Sequence, residues 1–307
     1  MAKQYLHVKA ILLLPRKVKN SFVFVYLKNN PLQAIGVVIS VISLILAIVG
    51  PWIVPHSPTN PMPGEQSLAP SREYWFGTDE NGMCVFSRVI AAYRMDLVIA
   101  LLGALLAMIV GAPAGIFAGY FDGRKGINGV ISLLILRFMD VLQAFPIFVL
   151  GLLLVAIFGP RPINLILAIA IANLPPNLRL ARSEVLTLRA MSFVEAARAS
   201  GNSEFKIAFS HVMPNAMTPV IALISMVMGF GILLVAGLSF VGAGVRVPTP
   251  EWGSMIAVGS HGLIIGHWWA AFFPGLFMGI TVFGFSMVGE AITALSDPLE
   301  RIKLGFR

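Results

Sequence analysis

Apolar residues along this chain gather in long uncharged runs, not at the three-to-four-residue spacing that gives a soluble helix one buried stripe. A helix needs about 20 apolar residues to cross a hydrocarbon core of roughly 30 Å. Six runs reach that length: 32–54, 97–121, 127–158, 165–182, 218–241 and 268–295. Gly111, Pro113, Pro146 and Pro274 fall inside them. Neighbouring helices can satisfy the backbone groups such residues release, so the helices are expected to continue through them. The expected fold is all-α and polytopic, with six transmembrane helices.

Composition supports this reading, because a chain that is 57% hydrophobic and 12% charged exposes more apolar surface than one soluble core could cover. The apolar piece at residues 10–14 is too short for a signal peptide and is followed by Pro15, Arg16, Lys17 and Lys19, so the first long run is expected to stay in the mature protein.

Orientation follows from the basic residues, since Lys and Arg beside a span resist translocation. With the N-terminus inside, 16 of the 22 fall on the cytoplasmic side: Lys3, Lys9, Arg16, Lys17, Lys19, Lys28, Arg124, Lys125, Arg179, Arg182, Arg189, Arg198, Lys206, Arg301, Lys303 and Arg307. Only Arg72, Arg88, Arg94, Arg161 and Arg246 fall outside, and Arg137 lies in a span. The expected topology is N-in, C-in. Membrane orientation thereby accounts for the net charge of +8, and no nucleic-acid partner is needed.

Two loops are too long to be connectors. The outer one, residues 55–95, opens with Pro55, Pro58, Pro61, Pro63 and Pro70 and continues into Tyr74-Trp75-Phe76-Gly77-Thr78-Asp79 and Gly82. This reads as interfacial aromatic anchoring followed by turns, either an ordered cap that only packs or a docking surface for a partner. It also holds Cys84, the single cysteine, which cannot form an internal disulfide. In the inner loop, Ser192-Phe193-Val194-Glu195 has the S-x-x-E form of a capping box, and Gly201 is placed to end the helix it opens. Ser203 can cap a second short helix, which Pro214 is expected to limit. The result is a helix pair with a slim face of Ala196, Ala197 and Ala199, suited either to resting on lipid headgroups or to docking in a groove.

The spacing of this loop resembles the EAA loop of binding-protein-dependent ABC importer permeases: Glu195-Ala196-Ala197, three residues, Gly201, nine residues, then His211-Val212-Met213-Pro214. The resemblance extends over nearly the whole chain beyond residue 30 and is to the dipeptide/oligopeptide C-type permease. It is carried by Phe76-Gly77-Thr78-Asp79, Ala118-Gly119-Tyr120-Phe121, Arg137-x-x-Asp140 with Ala144-Phe145-Pro146, Leu238-Ser239-Phe240-Val241-Gly242, Pro248-x-Pro250-x-Trp252-Gly253 and Asp297-Pro298. Where the family usually has Arg-Asp after Gly82, this chain has Met83-Cys84, and no role is transferred to those positions.

The resemblance implies a type I, MetI-like permease core. It divides the chain into a cytoplasmic segment 1–31, a first helix with outer loop 32–95, a five-helix core 96–296 holding the coupling loop 186–215, and a tail 297–307. It implies a heteromeric importer containing a second, B-type permease subunit, two ATPase subunits that bind ATP and Mg, and an extracytoplasmic solute-binding protein delivering a peptide. Glu195, Ala196, Ala197, Gly201 and Pro214 would couple to the ATPases. Gly77, Thr78, Asp79 and Gly82 would belong to an extracytoplasmic docking region. Relatives carry nickel chelates, glutathione or oligosaccharides as well as peptides, so these remain alternative cargoes.

Other chemistries lack their motifs. There is no G-x-x-x-x-G-K-[ST] to cradle phosphates, so ATP chemistry is expected on other chains. The five histidines fall in separate segments and form no H-E-x-x-H. The sequence Gly237-Leu238-Ser239-Phe240-Val241-Gly242 narrowly misses the G-x-S-x-G of a hydrolase and suits close helix packing. An ionisable side chain at a span centre costs roughly 2.5–3.5 kcal/mol on insertion scales. Arg137 and Asp140, at i and i+3, are therefore expected either to pair or to line a pathway. Glu290 is expected to reach water near the end of the last span. A proton-coupled carrier using Asp140 or Glu290 is the rival class, without a visible inverted repeat to support it.

Overall fold

The computed structural model describes residues 22–296. The first basic residues of the charge count, Asp297-Pro298 and the tail 297–307 lie outside the described residues. The helices run α1 (Phe22–Asn29), α2 (Pro31–Ile53), α3 (Val85–Tyr120), α4 (Ile127–Ala144), α5 (Ile147–Phe158), α6 (Pro162–Leu188), α7 (Ser192–Ala199), α8 (Glu204–Phe240), α9 (Trp252–His261) and α10 (Trp269–Ser296). Among the described residues the β structure is confined to an isolated bridge between Thr78 and Cys84. Six helices, α2, α3, α4, α6, α8 and α10, are long and apolar enough to cross a membrane, matching the number of apolar runs.

The ends differ from those expected where tertiary partners satisfy polar side chains. Helix α3 begins at Val85, well before residue 97, although Arg88 and Asp96 interrupt the apolar pattern. Both are buried, and Arg88 donates to the carbonyls of Pro58 (2.9 Å) and Pro248 (3.0 Å). The third run is not one helix. Phe145 has extended backbone, because the ring of Pro146 disfavours the helical region for the residue before it, and α4 stops where α5 restarts. Pro113, Pro274 and the pair Pro175-Pro176 stay inside α3, α10 and α6.

The centre of the fold is the pair α3 and α6, the most extensive helix contact. Gly111, Gly115 and Gly119 recur every four residues on α3 and so share one face. A Cβ at Gly115 would lie 2.3 Å from the Leu178 carbonyl oxygen, and one at Gly119 2.9 Å from that of Arg182. In a helix pair surrounded by lipid, such close backbone approach supplies the packing that hydrophobicity cannot. Gly36 on α2 meets Met287 of α10 in the same way. Gly237 lies against Phe148, as the close-packing reading of the Gly/Ser stretch expects.

Two buried clusters result. The larger joins α3, α6, α8, α9 and α10 around Leu97, Ile169, Leu238 and Trp252. The smaller, at the other end of α3, joins Ile116, Tyr120 and Val185 to Val194, Ile207 and Val212. Helix α4 stays at the periphery with most of its side chains exposed, anchored by the Ser132 hydroxyl donating to the Ala118 carbonyl (2.8 Å).

Candidate functional site

The segment from α7 into α8 forms a helical hairpin fixed to the bundle. Its turn is made by Gly201 at φ +80°, a left-handed conformation that glycine adopts without strain, as expected. Its start differs from the expected capping box: Met191 is the N-cap, Ser192 is the first helical residue, and no side chain caps the helix. The Ser203 hydroxyl does accept from the Lys206 amide (3.3 Å). Pro214 does not end the second helix. A π turn over Ile207–Val212 widens the spiral just before it, where the proline has no N–H to give, and the Asn215 side chain donates to the His211 carbonyl (2.8 Å).

The hairpin has two unlike faces. Val194, Ile207, Ala208 and Val212 are fully buried against α3 and α6, fixing the hairpin to the central pair. Met191, Phe193, Glu195, Ala196 and Ala199 are exposed, and Ala197 is half-buried. An apolar, small-residue knob with one carboxylate therefore projects from a rigid base.

A charged latch holds that base. Glu204 accepts from the Tyr120 hydroxyl and from Arg198 Nε (2.8 Å), and it pairs with Arg124 (2.9 Å). These bonds to Arg198, then Tyr120 and Arg124, hold the carboxyl down to about 2. Alongside, Arg182 pairs with Asp122 (2.8 Å), and Arg189 donates to the carbonyls of Gly119 (2.9 Å) and Asp122 (3.1 Å), capping the end of α3. Sequence reading passed over Glu204, whose partners are distant in sequence or in the adjoining turn; its place after Ser203 at a helix start was the available signal.

At the opposite end, the segment between α2 and α3 forms a cap. Gly77, Thr78, Asp79 and Gly82 lie inside it, not on its surface. The Thr78 hydroxyl donates to the Glu65 carbonyl and accepts from the Leu68 amide (2.8 Å), and the Thr78 carbonyl accepts from the Trp269 indole (3.0 Å). Asp79 accepts from the Asn81 and Met83 amides (2.9 Å each) and faces Arg88 at 3.6 Å. Burial pushes the Asp79 carboxyl up, against the pull of those amides and Arg88. Met83 and Cys84 are both buried here, and the Met83 sulfur lies 2.9 Å from Arg88 Nη1. These residues brace the cap internally. Beneath it, Glu251 caps α9 by accepting from the Gly253 (2.7 Å) and Ser254 (2.8 Å) amides. Its burial raises its carboxyl.

Within the spans, Arg137 and Asp140 approach at 3.8 Å, and a closer partner, at 3.1 Å, is Arg179; like Arg182, it lies within α6, although the charge count assigned both to the cytoplasmic loop. All three side chains are more than half exposed. Glu290 accepts from Gln33 on α2 (3.4 Å). Among the described residues no group of three or more metal-ligating side chains occurs.

Residues 111–302 match the family model described as binding-protein-dependent transport system inner membrane component, and residues 23–70 match the N-terminal TM domain of oligopeptide transport permease C. The dipeptide transport system permease protein DppC of Alkalihalophilus pseudofirmus is 37% identical over 90% of this chain and 88% of that protein. The probable D,D-dipeptide transport system permease protein DdpC of Escherichia coli is 35% identical over 89% of each chain. The glutathione transport system permease protein GsiD of Pectobacterium atrosepticum is 31% identical over 87% of each. Among solved structures, one of the MetNI methionine ABC transporter in inward-facing conformations resembles the chain in fold, with a TM-score of 0.55 and 16% identity over 68% of this chain and 97% of that one.

Proposed function

Because the chain belongs to the family of binding-protein-dependent transport system inner membrane components, a family of multi-pass permease subunits of ATP-driven importers, we propose that it carries di- or oligopeptides into the cell. The observation that carries the cargo is the likeness to dipeptide permeases over nine-tenths of the chain. Glutathione, cargo of one relative by its name, is itself a small peptide with free carboxylates and keeps the same chemical class. With hydrolysis on separate ATPase subunits, which would bind ATP and Mg, the proton-coupled carrier has no support left.

The path forms between this chain and a second permease subunit, with an external solute-binding protein on the cap side. The excess of Lys and Arg in the segments on the hairpin's side supports a cytoplasmic position for it and an N-in, C-in topology. Its exposed knob, Phe193, Glu195, Ala196 and Ala199, fits a groove of an ATPase subunit. Small side chains permit close approach, and the rigid inner face through Val194 transmits the push to α3 and α6. Gly201 sets the turn, and Pro214 follows the π turn where the lever enters α8.

The test is uptake of labelled dipeptides by proteoliposomes holding this chain with its partner subunits and loaded binding protein. ATP-dependent dipeptide accumulation is expected. Accumulation of an oligosaccharide or a nickel chelate, with dipeptides left outside, would overturn the cargo.

A further inference from the structure

Two guanidinium groups share one carboxylate on the exposed face where α4 meets α6. Arg179 Nη2 lies 3.1 Å and Arg137 Nη1 3.8 Å from the two oxygens of Asp140, leaving one positive charge in excess. These side chains are 74% exposed at Arg137 and 53% at Asp140 and Arg179, yet all sit within helices long and apolar enough to span the membrane. Hydrocarbon does not solvate such groups, so this face meets water or protein.

Beside the charges, where α4 breaks at Phe145-Pro146, lies a recess of about 220 Å³ lined by Leu142, Gln143, Ile147, Ala172, Pro175 and Pro176. Gln143 stands one turn beyond Asp140, and Pro176 one turn before Arg179. An excess guanidinium fork next to an apolar recess with one amide complements the end of a peptide: a free carboxylate with a side chain beside it.

We propose that Arg137 and Arg179 receive the C-terminal carboxylate of a peptide in transit, in exchange with Asp140, while the recess beside Gln143 takes the adjoining side chain. The inference rests on the peptide-importer reading. Asp140 keeps the pair neutralised enough to release its guest, since a path must bind weakly enough for the solute to leave.

The test uses the full importer with its binding protein, comparing a dipeptide with its C-terminal amide, each at a concentration that saturates the binding protein. Wild type is expected to transport the free acid about tenfold faster than the amide, the size of one charge-assisted hydrogen bond. Arg137→Gln and Arg179→Gln are expected to remove that preference by slowing the acid alone, with ATPase stimulation by loaded binding protein retained; Arg137→Lys should keep part of it. Asp140→Asn should preserve the preference. Equal slowing of acid and amide, or an unchanged preference in both Arg variants, would overturn the site in favour of a contact with the second subunit. Failure of wild type to accumulate either form would instead overturn the peptide reading beneath it.

Discussion

The hydroxyl of Tyr120, at the last residue of α3, donates to the carboxylate of Glu204, at the first residue of α8. Beside their buried apolar contacts, α3 and the hairpin are thus joined by a hydrogen bond, and Arg198 and Arg124 close on the same carboxylate from either side. Glu204→Gln keeps the shape and removes the charge. It is expected to weaken the hairpin's attachment by about 1 kcal/mol, the upper range for partly exposed ion pairs, and Tyr120→Phe by less. Faster hydrogen exchange at the Val194 amide, with the rest of the bundle unchanged, is the readout.

The same latch has a defined pH window. Its carboxyl is held at about 2, against an ordinary value of 4.5, chiefly by Arg198. A depressed folded value means the stabilisation is full above about 4.5 and disappears as pH falls toward 2. The protection factor of the Val194 amide, its exchange rate divided into the intrinsic base-catalysed rate at each pH, should therefore stay flat from pH 8 to about 5 and fall below about 4.5, and Glu204→Gln should abolish that fall.

Glu195→Lys changes an exposed residue, so stability should move by no more than about 0.5 kcal/mol, while ATP-driven uptake is abolished and ligand capture by the binding protein persists. Gly201→Asp adds left-handed backbone strain of about 1 kcal/mol and should also stop uptake. Full uptake in either variant would remove the hairpin from the coupling role.

Gly115→Val places atoms where the Leu178 carbonyl stands, and the Cβ alone would sit 2.3 Å from it. Overpacking of this kind costs about 1–3 kcal/mol, seen as a lower melting temperature of the purified complex in detergent. The same change at Gly279, which meets nothing within 4 Å, should be mild.

Gly77→Ala combines φ +72° with a Cβ 2.5 Å from the Leu68 carbonyl, and should open the cap to protease cleavage between α2 and α3. Arg88→Ala leaves Asp79 buried and unpaired at a cost of about 3–5 kcal/mol; Asp79→Asn with it should recover part of the loss.

What the sequence determined by itself was what local physics and spacing carry. Apolar runs of spanning length, with few or no charges, predict six helices because a helix satisfies its backbone hydrogen bonds within one segment in lipid. The Glu195-Ala196-Ala197 spacing and Gly201 mark the hairpin because a left-handed turn favours glycine. Tertiary structure alone decided what depends on residues far apart in the chain. Arg88 and Asp96 could enter α3 only because carbonyls of Pro58 and Pro248 and the Trp252 amide wait for them. Arg179 joined Asp140 across two helices, and Glu204 found Tyr120 at a separation of 84 residues. Gly77, Thr78, Asp79 and Gly82 turned inward because the cap needed their turns and hydrogen bonds for its own folding. A polar residue declares in sequence only that it needs a partner; which partner answers is settled when the helices pack.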